Sequence, residues 1–122
     1  MAELIEGTEE VEVERIVLRA PDDSPVDAIH ARPLGMPRWG IVVHPDIFGV
    51  RPLFDDIARR LATHGHAVVV TEPFFAVPTG ERDALTVEDR FALVPGLDDP
   101  RSLGVLAAAA DHLVVADGVG SV

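Results

Sequence analysis

One stretch of the sequence, residues 39–51, combines residue types that could do chemistry at the end of a strand. An apolar run at residues 41–43 leads into a polar turn that contains Asp46, and Gly49 follows three residues later. In open α/β sheets, the loops at the carboxyl ends of strands are the places where ligands bind. The stretch therefore predicts that a carboxylate and a sharply bent backbone meet at a ligand-binding edge.

Few other residues have the type and spacing of a reactive group. His64 and His66 form an H-x-H pair, but no third ligand stands at a suitable spacing, whereas zinc sites take about four ligands. We interpret both as solvated surface side chains and predict neither a metal nor a cofactor. Ser121 lacks the flanking glycines of a nucleophile elbow, and only one residue follows it. These residues supply no nucleophile.

The composition limits the classes of function. A chain of 122 residues that is 48% hydrophobic and 25% charged is typical of one globular domain. Its 21 acidic and 10 basic residues give a net charge of -11, and every basic residue is an arginine. Because nucleic-acid binding depends on basic patches that neutralise phosphates, we predict no nucleic-acid partner.

Cysteine usage and hydropathy bear on the cellular compartment. The sequence contains no cysteine, which excludes disulfides and thiolate metal sites within it. The amino end is acidic and lacks the basic and apolar regions of a secretion signal. No apolar run approaches the roughly 20 residues of a membrane span. We therefore predict a cytoplasmic protein with no membrane partner, and the oligomeric state is left open.

Hydrophobic periodicity and turn residues predict the elements on which residues 39–51 depend. Residues 1–10 are acidic and are predicted to be flexible, and residues 11–122 are predicted to form the domain. Alternating apolar and charged residues at 11–18 predict a half-buried strand, which forms a hairpin with a second strand at 26–32.

Continuous apolar runs at residues 40–43 and 67–70 predict strands that are covered on both faces. A helix is predicted between them, beginning at Pro52 and ending at Gly65. The residues predicted to share its buried face are Leu53, Ile57, Ala58 and Leu61.

The remaining pattern predicts two further helices and one more strand. After a long loop at residues 74–84, Thr86 is predicted to cap a helix that carries Asp89 in its third position. An alanine-rich helix extends to about Leu113, and a last strand opens at residues 119–122. The predicted fold class is α/β: a β-hairpin followed by parallel βαβαβ, in a three-layer sandwich with right-handed crossovers.

The sequence resembles the amino-terminal half of the dienelactone hydrolase family, a branch of the α/β-hydrolase fold. The resemblance rests mainly on H-P-D-I-F-G at residues 44–49, similar to the (H/Q)-E-I-F-G that follows a strand in that family. Residues 57–70, 106–113 and 118–122 add support. The family hydrolyses ester or lactone bonds with a Cys or Ser nucleophile, an Asp and a His. The resemblance places all three after Val122, so the fold is expected to be truncated before the nucleophile elbow.

The resemblance also implies roles for residues at the end of the first parallel strand. The backbone N–H of Ile47 would donate to the oxyanion, unless Ile47 and Phe48 are merely packed in the core. Asp46 would be a shortened counterpart of the family's Glu, which contacts the resting thiol. Its alternative role is an Asx turn that bonds its own backbone. His44 is expected to order the loop by hydrogen bonding, because the family's base lies far downstream.

Substrate contacts are implied for a further group of side chains. Family members that act on dienelactone hold the substrate's acid group with arginines, which makes Arg51, Arg82 and Arg90 candidates. The residues predicted to bind a small-molecule ester or lactone are Arg51, Phe48, Phe74 and Arg90. The alternatives are a charged helix surface for the arginines and core packing for the phenylalanines.

Three hypotheses about function follow from the sequence. The leading one is a hydrolase of the dienelactone hydrolase family, of which residues 1–122 supply the oxyanion loop and are inactive alone. The second is a non-catalytic α/β domain that binds a small molecule or a partner at the same strand-end crevice. The third is a truncated product without function.

Overall fold

One mixed four-stranded sheet forms the centre of the molecule. The computed structural model describes residues 5–97 and 99–122. The strands are β1 (Val11–Arg19), β2 (Pro25–Pro33), β3 (Gly40–Val43) and β4 (Ala67–Thr71). They are arranged in the order β1-β2-β4-β3; β1 and β4 flank β2 in antiparallel orientation, and β3 runs parallel to β4. The predicted hairpin and the predicted parallel pair are confirmed.

Helices cover both faces of the sheet. They are α1 (Pro52–Thr63), α2 (Thr79–Arg82), α3 (Val87–Leu93) and α4 (Asp99–Asp117), with a 3₁₀ turn at Val94–Gly96. On one face, α1 packs against strand residues that include Val68 and Val70. On the other face, α4 packs against strand residues that include Val69. The predicted three-layer α/β arrangement is thus observed.

Local chemistry determines where two of the helices begin and end. The helix α1 begins at Pro52, and Gly65 ends it with a φ of +93° that favours glycine. The helix α3 begins with a capping box, because Thr86 Oγ1 accepts from the Asp89 N–H at 3.1 Å and Asp89 Oδ2 accepts from the Thr86 N–H at 2.9 Å. These signals are readable in the sequence because each involves neighbouring residues.

The buried face of α1 differs from the prediction by one residue. Leu53 is 46% exposed, whereas Phe54 is 8% exposed and packs with Ala58 and Ala62. Residues spaced by four share one row of a helix, so the row that begins at Phe54 faces the sheet. The predicted burial of Leu53 is wrong, and Ile57, Ala58 and Leu61 do pack against this core.

The predicted long loop at residues 74–84 contains the one-turn helix α2. A turn this short has little stability of its own, since helix nucleation is unfavourable. Arg82 at its end is buried and forms an ion pair with Asp27 of β2. The two residues are far apart in sequence, which explains why the local sequence pattern predicted only a loop.

The predicted strand at residues 119–122 is not observed as a strand. The carbonyl of Ser121 accepts a hydrogen bond from the Gly40 N–H at 2.8 Å, and Val119 is buried. The chain therefore passes beside β3, but a single hydrogen bond does not make the ladder that defines a strand.

Residues 5–10 contact the end of α1. The N–H groups of Gly7 and Glu9 donate to Thr63 Oγ1 at 2.8 Å and to the Thr63 carbonyl at 3.0 Å. Glu6 pairs with Arg59 at 2.6 Å. Residues 1–4 lie outside the described residues, and the flexibility of residues 1–10 stays a prediction. No helix within the described part of the chain is long and apolar enough to span a membrane.

Candidate functional site

Residues 46–50, here termed the strand-end turn, follow β3 and bend sharply. Asp46 Oδ1 accepts from the Phe48 N–H at 3.0 Å, and the Asp46 carbonyl accepts from the Gly49 N–H at 3.0 Å. Gly49 has a φ of +72°, a conformation that glycine adopts at low cost. The Asx-turn geometry left open by the sequence is therefore present at Asp46.

Arg51 forms a two-pronged ion pair with Asp46. Its Nη1 and Nη2 atoms lie 2.6 and 3.0 Å from the two carboxylate oxygens of Asp46. The guanidinium carbon also lies 5.2 and 5.1 Å from the ring centroids of Phe48 and Phe54. The hydrogen bond from Arg51, aided by the Phe48 N–H, holds the pKa of the Asp46 carboxyl below its ordinary value. Asp46 therefore stays ionised and engaged within the turn.

The pH dependence of stability tests this ion pair. Because the folded-state pKa of Asp46 is depressed, its contribution is complete above the unfolded pKa of about 3.9 and is lost as pH falls through the folded pKa. The Asp46 side chain is 49% exposed, so solvent screening limits the contribution to less than about 1 kcal/mol. In urea denaturation between about pH 6 and pH 3, Asp46→Asn should lose less stability than the unaltered protein. Equal losses would contradict the assignment.

Glu72, at the end of β4, is a buried carboxylate that no sequence motif singles out. It is 4% exposed, and its two oxygens accept from the Val50 N–H at 3.3 Å and the Phe74 N–H at 3.0 Å. Arg82 Nε lies 3.7 Å from Glu72 Oε1 and offsets its charge. An acidic residue directly after a buried parallel strand was the available signal, since neighbouring parallel strands end at the same edge.

Gly49 lies directly against the Glu72 carboxylate. A Cβ atom built on Gly49 would stand 2.4 Å from Glu72 Oε1 and 2.6 Å from Oε2. No larger residue fits while Glu72 keeps its position. Close approach and positive φ thus both require glycine here.

Arg90 reaches the strand-end turn from α3. It is 8% exposed, and its Nη1 donates to the Ile47 carbonyl at 3.0 Å. Its Nη2 donates to the Arg82 carbonyl at 2.9 Å, and its guanidinium lies 5.9 Å from the Phe74 ring centroid. Both terminal nitrogens of the guanidinium are therefore engaged with backbone carbonyls.

A cavity of about 510 Å³ adjoins the strand-end turn. Its lining includes three of the predicted substrate-binding residues, Phe48, Arg51 and Arg90. The fourth, Phe74, is 3% exposed and borders a different cavity of about 140 Å³. The structure thus brings three of the four residues together on one cavity and places Phe74 on another, 5.9 Å from the Arg90 guanidinium.

Ile47 and His44 differ in how they are held. Within the described residues, the Ile47 N–H has no hydrogen-bond partner, although its carbonyl is bound by Arg90. His44 is exposed, and its ring makes no hydrogen bond within that same part of the chain. Its role in ordering the loop stays a prediction.

The two histidines of the H-x-H pair face different partners. His64 Nε2 lies 2.6 Å from the Ile5 carbonyl, and His66 is half-buried with its ring stacked on Trp39 at 5.3 Å. Burial lowers the pKa of His66 from its ordinary value. Among residues 5–97 and 99–122, no group of three or more His, Cys, Asp or Glu side chains is placed to hold a metal ion.

Comparison with known proteins gives a consistent family. Residues 26–120 match the family model described as the dienelactone hydrolase family. The chain is 33% identical over 103 residues to a Rhodococcus opacus protein named carboxymethylenebutenolidase. The aligned region covers 72% of the chain and 41% of that protein.

Solved structures share the fold. A candidate dienelactone hydrolase from Klebsiella pneumoniae superposes on the chain with a TM-score of 0.72 and a sequence identity of 24%. The superposition covers 89% of the chain and 44% of the Klebsiella protein. A bacterial brefeldin A esterase superposes with a TM-score of 0.57 and a sequence identity of 20%, over 99% of the chain and 33% of the esterase. The chain spans less than half the length of each of these three proteins. Because the family model matches residues 26–120, most of the sequence, the chain belongs to the dienelactone hydrolase family.

Proposed function

We propose that the chain forms the amino-terminal half of an enzyme that hydrolyses an ester or lactone bond of a small molecule. The observation that carries this proposal is the Ile47 N–H, which is unpaired within the described residues and lies in a fixed turn at the end of β3. Acyl transfer requires such donors where negative charge develops on the carbonyl oxygen. Family membership supports the reaction class.

The proposed mechanism divides the site between this chain and residues that follow Val122. The Ile47 N–H donates one hydrogen bond to the oxyanion, and the N–H after the nucleophile donates the other. A Cys or Ser nucleophile and its Asp and His partners come from the later part of the protein. Residues 1–122 alone are therefore inactive. Asp46, tied to Arg51, shapes the turn and lies beside the nucleophile.

The substrate is proposed to enter beside the strand-end turn. Phe48 is 43% exposed and offers an apolar surface next to the Arg51 guanidinium, both on the 510 Å³ cavity. Because both terminal nitrogens of Arg51 already donate to Asp46, this wall of the cavity favours the apolar part of a small molecule, and anion binding by Arg51 stays a prediction. Substrate contacts by Phe74 and Arg90, a cytoplasmic location and the absence of a cofactor stay predictions.

Hydrolysis assays test the proposal. The protein with its natural continuation after Val122 should release p-nitrophenol from p-nitrophenyl acetate or open a dienelactone, whereas residues 1–122 alone should do neither. If the folded longer protein hydrolyses neither compound, the hydrolase proposal fails. Binding of small molecules without turnover would then favour the non-catalytic binding domain.

A further inference from the structure

We propose that Arg90 and Glu72 are positioning residues that hold the strand-end turn from its two sides and so fix the direction of the Ile47 N–H. This inference rests on the proposed function, because it assigns the parts that preorganise the oxyanion donor. Neither residue needs to touch the substrate for this role. The family resemblance implies a substrate contact for Arg90, and no sequence motif singles out Glu72.

Arg90 holds the first side of the turn. Its Nη1 donates to the Ile47 carbonyl at 3.0 Å, so the residue that carries the donor N–H is itself restrained. The opposite end of the guanidinium is anchored, since Nη2 donates to the Arg82 carbonyl at 2.9 Å. At 8% exposure this bridge is shielded from water, which strengthens charge-assisted hydrogen bonds.

Glu72 holds the second side of the turn. Its Oε1 accepts from the Val50 N–H at 3.3 Å, and Gly49 packs against the same carboxylate. Its Oε2 accepts from the Phe74 N–H at 3.0 Å, which ties the carboxylate to its own strand end. The Arg82 guanidinium, 3.7 Å away, balances the buried charge. Residues 47–50 are therefore held from β4 and from α3 together.

The hydrogen bonds of Arg90 to backbone carbonyls favour a role in holding the strand-end turn over a role in binding the substrate. A guanidinium that binds a substrate carboxylate presents its paired N–H donors to the cavity. Here each terminal nitrogen donates one of its N–H groups to a backbone carbonyl, so the guanidinium already bridges Ile47 and Arg82 before any substrate is present. An oxyanion donor stabilises the transition state because it is fixed before the reaction, so loosening it would slow the reaction.

Kinetics of the longer protein test the inference. In Arg90→Met and Glu72→Gln, kcat for a p-nitrophenyl ester should fall roughly tenfold to a hundredfold, the cost expected of a misplaced donor. KM should change by less than about twofold, because the ground-state carbonyl needs the donor less than the oxyanion does. Affinity for a trifluoromethyl ketone, which forms a tetrahedral oxyanion adduct, should fall in parallel with kcat. Arg90→Lys should be intermediate, since an ammonium cannot span both carbonyls.

A second arginine supplies the matched control. Arg101 lies 4.7 Å from the Phe75 ring centroid, as Arg90 lies over Phe74, but its hydrogen bond and ion pair go to Ser24 and Asp22. Arg101→Met should leave kcat unchanged. If Arg90→Met lowers kcat no more than Arg101→Met does, the inference is overturned. A rise in KM confined to substrates that carry a carboxylate would also overturn it, in favour of substrate binding.

Amide hydrogen exchange separates this inference from the proposed function. In Arg90→Met, or in Arg90→Lys if the methionine variant does not fold, the hydrogen-bonded amides of residues 48–50 should exchange at least about tenfold faster. This readout does not require activity. An inactive unaltered protein would refute the proposed hydrolase, whereas unchanged exchange in a folded variant would refute the holding role of Arg90.

Discussion

Replacing Gly49 with alanine is expected to lower the free energy of unfolding by about 2–5 kcal/mol. A left-handed backbone costs an alanine about 1–2 kcal/mol, and Gly49 has a φ of +72°. The added Cβ would also meet the Glu72 carboxylate at 2.4 Å. Glu72 cannot retreat without releasing the Val50 and Phe74 N–H groups, and leaving such buried groups unpaired costs about 1–3 kcal/mol more. Urea denaturation of the protein measures the change.

Gly118 provides the control for this prediction. It has nearly the same φ, +68°, but a Cβ built on it meets no atom within 4 Å. Gly118→Ala should therefore show only the backbone cost, about 1–2 kcal/mol. The difference between the two variants isolates the contact with Glu72. Equal losses would show that Glu72 tolerates displacement, which would weaken its assigned role.

Replacing Leu113 with alanine is the second large effect, with an expected loss of about 3 kcal/mol. Leu113 is fully buried between α4 and the sheet, in the cluster that contains Val69 and Val119. Replacing its isobutyl group with a methyl group leaves a cavity that the strands of a paired sheet cannot close. The loss should be visible as a lower urea midpoint with an unchanged slope.

Val115, on the same helix, is the matched control. It is 86% exposed, so Val115→Ala removes an apolar side chain without opening a cavity. Its effect should stay within about 0.5 kcal/mol, because surface substitutions are nearly neutral and alanine favours helix. A loss for Leu113→Ala no larger than that for Val115→Ala would contradict the packing of α4 on the sheet.

Sequence alone predicted those parts of the fold that depend on neighbouring residues. The capping box of Thr86 and Asp89 and the glycine stop at Gly65 involve residues a few positions apart, and both are observed. The predicted strand at residues 119–122 depends on pairing with β3, which is distant in the chain. There the apolar sequence pattern predicted a strand, but only one backbone hydrogen bond to Gly40 is formed. Likewise, apolar periodicity indicated that α1 is amphipathic but did not resolve Leu53 from Phe54, because adjacent residues differ by only about 100° around a helix.

The candidate site shows the same division. The acidic turn after β3 and its glycine were predicted from the residues 41–49 themselves. The contacts of Arg90 with Ile47 and of Glu72 with Val50 join residues 43 and 22 positions apart. Whether an arginine binds a substrate or a backbone carbonyl depends on which groups the fold brings to it, and residue type does not encode that choice.

The double attachment of the strand-end turn has a consequence for the order in which the molecule assembles. The turn precedes in sequence both of the elements that restrain it, so its long-range contacts are complete only when β4 has paired and α3 has docked. A nascent chain that has emerged only as far as α1 holds the residues of the turn and their local contacts with Arg51, but neither Glu72 nor Arg90. The shape of the turn is thus acquired late, and in pulse-labelling its amides should become protected after those of the β1–β2 hairpin.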